Sequence, residues 1–450
     1  MLEIRGNARR GVDGISRRGF LKAGTLSFGG LTLPQVLALR DAQAASARRD
    51  TAVILFWQAG GPSHIDTVDM KPDQPIEGRG PFQPIATSQP GFDVCELMPG
   101  HARIADKLAI VRSLHHNLSV HDDGSHWMQT GYPLLNARAQ GQSHPAQGAV
   151  VAKVRGANDR ELPPYVCIPE AYSSPKGFYQ SAAYLGPRFN ALNAGGDPTL
   201  GNYRLPDLTL PADVTMPRLE HRRELLRVFD STVRTAEAST AVRNLDVSQT
   251  KAFDLLTGAK ARAAFDLSQE TVELREKYGR HAYGHGALLA RRLVEAGVTF
   301  VTINLYEADV DWWDDHYTIE KNLRKRLPMF DQAFATLVDD LHQRGLADRV
   351  LVAAFGEFGR SPFISSKDTG RGHWPGAFSA VLSGGGIRGG QIVGSTTSNG
   401  GAPRDRPLTP GDLLATIYHQ LGIDHELMLP DKLNRPVRLV AEGEPIAEIV

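Results

Sequence analysis

Ala52-Val53-Ile54-Leu55-Phe56-Trp57-Gln58-Ala59-Gly60-Gly61-Pro62 is the stretch from which the fold is read. Six apolar residues run without polar alternation, which predicts a strand buried on both faces. Gly-Gly-Pro then predicts a tight loop. A strand covered on both faces belongs to a mostly parallel sheet flanked by helices. The same pattern recurs at residues 108–114, 165–168, 298–305, 349–355 and 377–382. Between these runs the period changes. In 320–345 Leu323, Leu327, Phe330, Phe334, Leu337 and Leu341 step by four and three, which predicts an amphipathic helix stopping at Gly345. Segment 284–297 reads as a second helix, and 412–421 as a third, entered through Thr409-Pro410-Gly411-Asp412. Residues 170–280 break the alternation, first with Gly, Pro, Asn and Tyr, then with charged helical sequence. They read as an insertion or cap.

The 450 residues carry 50 basic and 50 acidic side chains, with no clustered basic face, so a nucleic-acid partner is not expected. Residues 1–47 read as an export signal. Ser16-Arg17-Arg18-Gly19-Phe20-Leu21-Lys22 matches the twin-arginine pattern, a weakly apolar stretch follows, and Ala42-Gln43-Ala44 or Ala45-Ser46-Ala47 offers a cleavage site. This predicts a single domain over 48–450, working in the periplasm or cell envelope without a transmembrane anchor after cleavage. Two cysteines, Cys95 and Cys167, leave a disulfide or two free thiols open.

Three motifs sit just past predicted strands: Trp313-Asp314-Asp315-His316, Gly356-Glu357-Phe358-Gly359-Arg360 and Gly370-Arg371-Gly372-His373-Trp374. Open α/β sheets keep their chemistry at the carboxyl ends of strands. Carboxylates and imidazoles gathered there from distant segments suit a divalent-metal site. Each has a plainer alternative, such as an ion pair between Glu357 and Arg360.

The chain resembles the domain of unknown function 1501 family. The likeness rests on AVILFWQAGGPSHIDTVDMKP (52–72), EGRGPFQPIATSQPGFDVCELMP (77–99), DKLAIVRSLHH (106–116), WDDH (313–316), GEFGRSP (356–362), GRGHWPGAFSAVLSGGGIRGGQIVG (370–394) and DRPLTPGDLLATIYHQLGI (405–423). The resemblance implies an alkaline phosphatase-like three-layer α/β/α sandwich with one or two divalent metals at the carboxyl edge of its sheet. It implies Asp314, His316, Glu357 and His373 as late ligands, with zinc or manganese as the metal. The usual first-strand Asp is missing, and His64 or Asp66 is the candidate replacement.

That superfamily places its nucleophile at a helix start, ten residues before the glycine of a Thr-Gly pair. Here the pair is Thr130-Gly131 and the position holds His121. His121 is thus a candidate nucleophile, or equally a metal ligand or general base. His115, His116, His126, Asp122 and Asp123 crowd the same segment, with Ser125 and Thr67 as spare hydroxyls. No Cys-x-Pro-x-Arg sulfatase signature occurs. Arg112, Arg360 and Arg371 are candidates for holding an ester oxyanion. The expected activity is metal-dependent hydrolysis of sulfate or phosphate esters, of small molecules or polysaccharides. The alternative is an inactive envelope protein that keeps the fold and binds glycans or protein partners.

Overall fold

The structure, a computed structural model, describes residues 50–171, 179–195, 218, 258–304 and 312–450. The export signal read in 1–47 and most of the 170–280 segment lie outside these residues.

Ala52–Trp57 forms strand β1, and no residue in it is more than 3% exposed. Its side chains alternate between two apolar layers. Ala52, Ile54 and Phe56 enter one, while Val53, Leu55 and Trp57 enter the other. The strand is therefore apolar throughout because both of its faces are covered. Seven further strands complete the sheet: β2 Leu108–Leu114, β3 Tyr165–Ile168, β4 Leu192–Asn193, β5 Phe300–Ile303, β6 Val350–Phe355, β7 Phe378–Gly384 and β8 Gln391–Val393. Their order is β8-β2-β7-β6-β1-β5-β3-β4. Ile54 lies in register with Val301 on one side and Val352 on the other, both in parallel pairing. Strand β7 alone runs antiparallel, with Val381 opposite Ile110 and Ala354. The reason is its connection. No crossover helix separates it from β6, so the chain turns back beside the strand it has just left.

Helices cover both faces, which makes the three layers. Over the Phe56 face lie α3 (Ala282–Ala296) and α4 (Ile319–Gln343). Phe330 and Phe334 of α4 meet the Phe56 ring at 5.7 and 5.5 Å. Truncating one such buried ring costs about 3–5 kcal/mol. The predicted stop of α4 holds: Arg344 caps it and Gly345 takes the left-handed conformation, with φ 68°. Over the other face lie α1 (His121–Thr130), α2 (Gln147–Val154) and α5 (Pro410–Gln420). The Thr409 hydroxyl and the Asp412 carboxylate cap α5 reciprocally, as their spacing predicts.

The described ends of the 170–280 segment belong to the layers themselves. Strand β4 pairs with β3 at the sheet edge. Helices Ala259–Phe265 and Val272–Tyr278 follow, and Phe265, Leu267 and Tyr278 are buried in the same apolar layer as Phe56. Cys95 and Cys167 are free and buried in opposite layers, so they form no disulfide. Among the described residues no helix is long and apolar enough to cross a membrane.

Candidate metal centre

The chain brings its late motifs to one edge of the sheet. The loop after β1 holds Gly60, and Glu357 follows β6 directly. His373 lies five residues before antiparallel β7 and so arrives at the same edge. His121 opens α1 after β2. Trp313 points into the core, with its ring 5.4 Å from Phe330 and the Arg326 guanidinium 4.9 Å over it. Arg326 also grips Asp315 at 2.9 and 3.2 Å. With Trp313 and Asp315 fixed, Asp314 and His316 are left to face the site. Gly60 has φ +107°, and a Cβ there would sit 2.4 Å from the Asp314 nitrogen. Only glycine permits this approach. Gly370 serves likewise behind His316, whose carbonyl oxygen would lie 2.1 Å from an added Cβ.

His121, Asp314, His316 and His373 each offer a ligand atom, and these atoms lie within 4.8 Å of one another. Three imidazole Nε2 atoms ring one carboxylate. Those of His316 and His373 lie 3.2 and 3.3 Å from Asp314 Oδ1, and that of His121 lies 3.2 Å from Oδ2. The His316 and His373 Nε2 atoms are only 2.8 Å apart. His121 Nε2 is buried and lacks a hydrogen bond of proper alignment. Lone pairs aimed at one point, with a buried nitrogen unsatisfied, are what a shared cation resolves. The donor set of three nitrogens and one oxygen is one that a transition metal accepts.

The outer contacts orient these ligands. Glu357 Oε1 lies 2.6 Å from His121 Nδ1 and accepts from the Gly60 N–H at 2.8 Å. The Ser119 carbonyl lies 2.8 Å from His373 Nδ1. Each contact turns the corresponding Nε2 inward, the usual support of a metal-binding histidine. Arg360 holds Asp314 Oδ1 at 2.5 Å. Burial disfavours charge on His121, but Asp314 and Glu357 outweigh it and push its pKa up to about 9. Burial likewise opposes ionisation of Asp314, yet His121, His373 and Arg360 hold its carboxyl far below the usual range. Burial lowers the pKa of His316. Beside the cluster lies a small recess lined by Ala59, Gly60, His121, Ser125, Trp312, Asp314 and Glu357.

Of the residues singled out in the sequence, Asp314, His316, His373 and His121 converge. Glu357 stands behind His121 and does not join the four. Both ring nitrogens of His121 face carboxylates, so the geometry suits a metal ligand better than a nucleophile. His64 and Asp66, read as replacement ligands, do not join the cluster. His64 Nε2 lies 2.8 Å from the Gly400 carbonyl, and burial lowers its pKa. Asp66 is fully buried against Arg371, at 2.7 Å, because an unpaired carboxylate could not be buried there. Arg371 is thereby removed as an oxyanion holder.

Arg112 is also corrected. It lies 3.7 Å from Asp69 and donates to the Asp93 carbonyl, away from the cluster. Arg360 does reach the site, but as a strut. It donates to the carbonyls of Gly60, Gly61 and Arg371, and its ion pair is with Asp314, not Glu357. His116 lies 2.6 Å from the Glu357 carbonyl, and His126 lies 2.8 Å from that of Tyr132, so both are structural. Sequence reading missed the Ser119 carbonyl and the Arg326–Asp315 clamp. A backbone contact leaves no residue signal, and the clamp lay hidden in a helix read only for its apolar stripe.

Solved structures to which the chain shows similarity include the sulfatase PsFucS1 from Pseudoalteromonas sp., at 11% identity and TM-score 0.36, covering 86% of this chain and 72% of that one. The lipoteichoic acid synthase LtaP from Listeria monocytogenes matches at 10% identity and TM-score 0.35, over 90% and 77%. The phosphonate monoester hydrolase SpPMH from Silicibacter pomeroyi matches at 13% and 0.32, over 78% and 71%. Comparison with curated proteins finds no match. Residues 50–450 match the family described as "Protein of unknown function (DUF1501)", and the chain belongs to that family.

Proposed function

We propose that the protein is an exported, metal-dependent hydrolase of sulfate or phosphate esters. The observation that carries this reading is the convergence of three imidazole Nε2 atoms and the Asp314 carboxylate at the carboxyl edge of the sheet. The donor set favours zinc, then manganese. The ester class comes from the resemblance of the motifs around these ligands, and the location from the twin-arginine pattern near the amino end. A divalent cation at this site supplies Lewis-acid polarisation of the ester oxygen.

The protein's own groups do the rest. Glu357 and the Ser119 carbonyl fix the tautomers of His121 and His373, so that both present Nε2. Arg360 fixes Asp314 and spends its donors on the carboxylate and on the Gly60, Gly61 and Arg371 carbonyls, so it serves the scaffold in this reading. His316 is the most open ligand, with 38% of its side chain exposed, so the ester enters from its side. With both nitrogens of His121 engaged, the attacking group in this reading is water and not a histidine.

The test is metal analysis of the purified protein together with hydrolysis of nitrophenyl sulfate and phosphate. The expected result is about one zinc or manganese ion per chain, lost in His373→Ala together with the hydrolysis. A folded protein that takes up neither metal in equimolar titration refutes the reading.

A further inference from the structure

Only one carboxylate oxygen of Glu357 is used by the contacts described above. Oε1 accepts from the Gly60 N–H and lies against His121 Nδ1. Oε2 is buried and has no hydrogen-bond partner among the described residues. The side chain is 2% exposed, so bulk water does not supply one. A buried acceptor in that state carries the full cost of its desolvation, and it calls for a donor.

Glu357 lines the recess beside the cluster together with His121, Asp314 and Ser125, and Ala59 and Trp312 add apolar walls. Ser125 stands on α1, one turn after His121, and is itself buried. Its neighbour Gly124 lets the helix lie close, since a Cβ there would stand 3.4 Å from that of Glu357. The open volume of the recess is about 10 Å³, room for one water molecule. A sulfuryl or phosphoryl group is several times larger and does not enter.

We propose that Glu357 and Ser125 seat one water molecule in this recess, and that it is the water that attacks the ester. The attack rests on the hydrolase reading; the seat does not. A buried water needs two to four polar partners. It donates hydrogen bonds to Glu357 Oε2 and the Asp314 carboxylate and accepts one from the Ser125 hydroxyl, which leaves a lone pair for the ester. In the attack the water oxygen bonds sulfur or phosphorus. The bond from that atom to the alcohol oxygen breaks, with its electron pair on oxygen. One water proton ends on the alcohol and the other stays with the released anion. Neither His316 nor His373 lines the recess, so an ester arriving on the His316 side leaves the seat filled. That separation suits in-line displacement, with attacking and leaving oxygens on opposite sides of the transferring group. Ser125 holds the water and is not itself the nucleophile, because the transferring group cannot reach its oxygen.

The experiment takes crystals of the metal-free and the zinc-loaded protein to high resolution. Beside them, Ser125→Ala and Ser125→Val are compared with the parent in zinc affinity, urea midpoint and hydrolysis of the nitrophenyl esters. Density for one water within hydrogen-bond distance of Glu357 Oε2 and Ser125 Oγ is expected in both crystals. Ser125→Val fills the recess with methyl groups. It should expel the water and lower kcat roughly 100-fold, the scale of a misplaced reacting group. Ser125→Ala keeps the room and loses one neutral hydrogen bond, which should lower kcat roughly 5- to 10-fold. KM and zinc affinity should hold in both variants, which a general loosening of α1 would not allow.

A recess without water in the parent crystals, or parental kcat in either variant, overturns the proposal. So does a sulfuryl or phosphoryl group found on Ser125 by mass spectrometry after acid quench, which would make the serine the nucleophile. Should Ser125→Val fail to fold, Ser125→Ala and the crystallographic water still decide. None of these results touches the metal centre. Conversely, a parent that takes no zinc sinks the hydrolase reading and with it the attack, while the metal-free crystals still decide the seat.

Discussion

Replacing Glu357 by Gln tests how the proposed metal site is organised without touching one of its four proposed ligands. Glu357 Oε1 accepts from the Gly60 N–H at 2.8 Å and lies 2.6 Å from His121 Nδ1. The side chain is almost fully buried, so both contacts are shielded from water. A glutamine oxygen can occupy the same place, but each bond changes from charge-assisted to neutral. That change is worth about 1 kcal/mol per bond, hence about 2 kcal/mol for the pair. Expressed as metal affinity, about 2 kcal/mol is roughly a 30-fold loss. This falls inside the 10- to 100-fold range typical of residues that orient ligating histidines. The assay is zinc competition against a chromogenic chelator, with denaturant unfolding of the metal-free protein run beside it. Zinc affinity within twofold of the parent would refute the argument. It would mean that His121 is not a ligand, or that its orientation does not depend on Glu357.

Two further outcomes follow from the same contacts. Asp66→Asn leaves the buried Arg371 guanidinium without its counter-charge and should destabilise the fold by about 3–5 kcal/mol. The denaturant midpoint should fall while the stoichiometry of bound zinc is kept; loss of zinc at unchanged stability would return Asp66 to the ligand set. Acid should unfold the protein early. Burial lowers the pKa of His116 and of His126 to about 4. Between pH 4 and 6.5 the unfolded chain then binds protons that the folded chain refuses, so stability rises with pH across this window. Each histidine contributes up to roughly 3 kcal/mol. Above it, in metal-free protein, His121 has the opposite sign: its pKa of about 9 gives stability that is present below 6.5 and lost as pH rises through 9. Urea midpoints in chelator should therefore peak near neutrality, and a midpoint flat from pH 4.5 to 6.5 would contradict the burial argument.

The fold was legible where periodicity is local. The run Ala52 to Trp57 announces a doubly covered strand because both faces meet apolar layers, and the stripe of α4 from Leu323 to Leu341 announces which face packs. The reversed direction of β7 was not legible. Its sequence is as apolar as that of a parallel strand, and only the missing crossover helix reverses it. Strand β4, two residues long, has too little sequence to carry a period. In the site, Asp314, His316 and His373 could be read because they follow or precede strands at one edge. His64 and Asp66 sit equally close to β1, and nothing local says that they turn away. Their partners, Gly400 and Arg371, lie more than 300 residues further along the chain.

The arginines show why residue type and spacing mislead at such a site. Arg360 and Arg371 stand in glycine-rich loops beside the ligands, where a guanidinium reads naturally as a holder of anions. Both are 0% exposed, and Arg326 is 1% exposed. Each is engaged by the protein itself: Arg326 by Asp315, Arg360 by Asp314 and three carbonyls, Arg371 by Asp66 and the carbonyls of Ser361 and Gly78. Buried ion pairs of this kind contribute little net stability, because desolvation offsets the attraction. What they give is geometry, since a rigid planar fork fixes several oxygens at once where a lysine would fix one. Arg360 donates to the Arg371 carbonyl, so the struts of the Asp314 loop and the His373 loop are joined. The four residues of the cluster are thus held by the surrounding protein, and the charges that look as though they serve a substrate hold the scaffold instead.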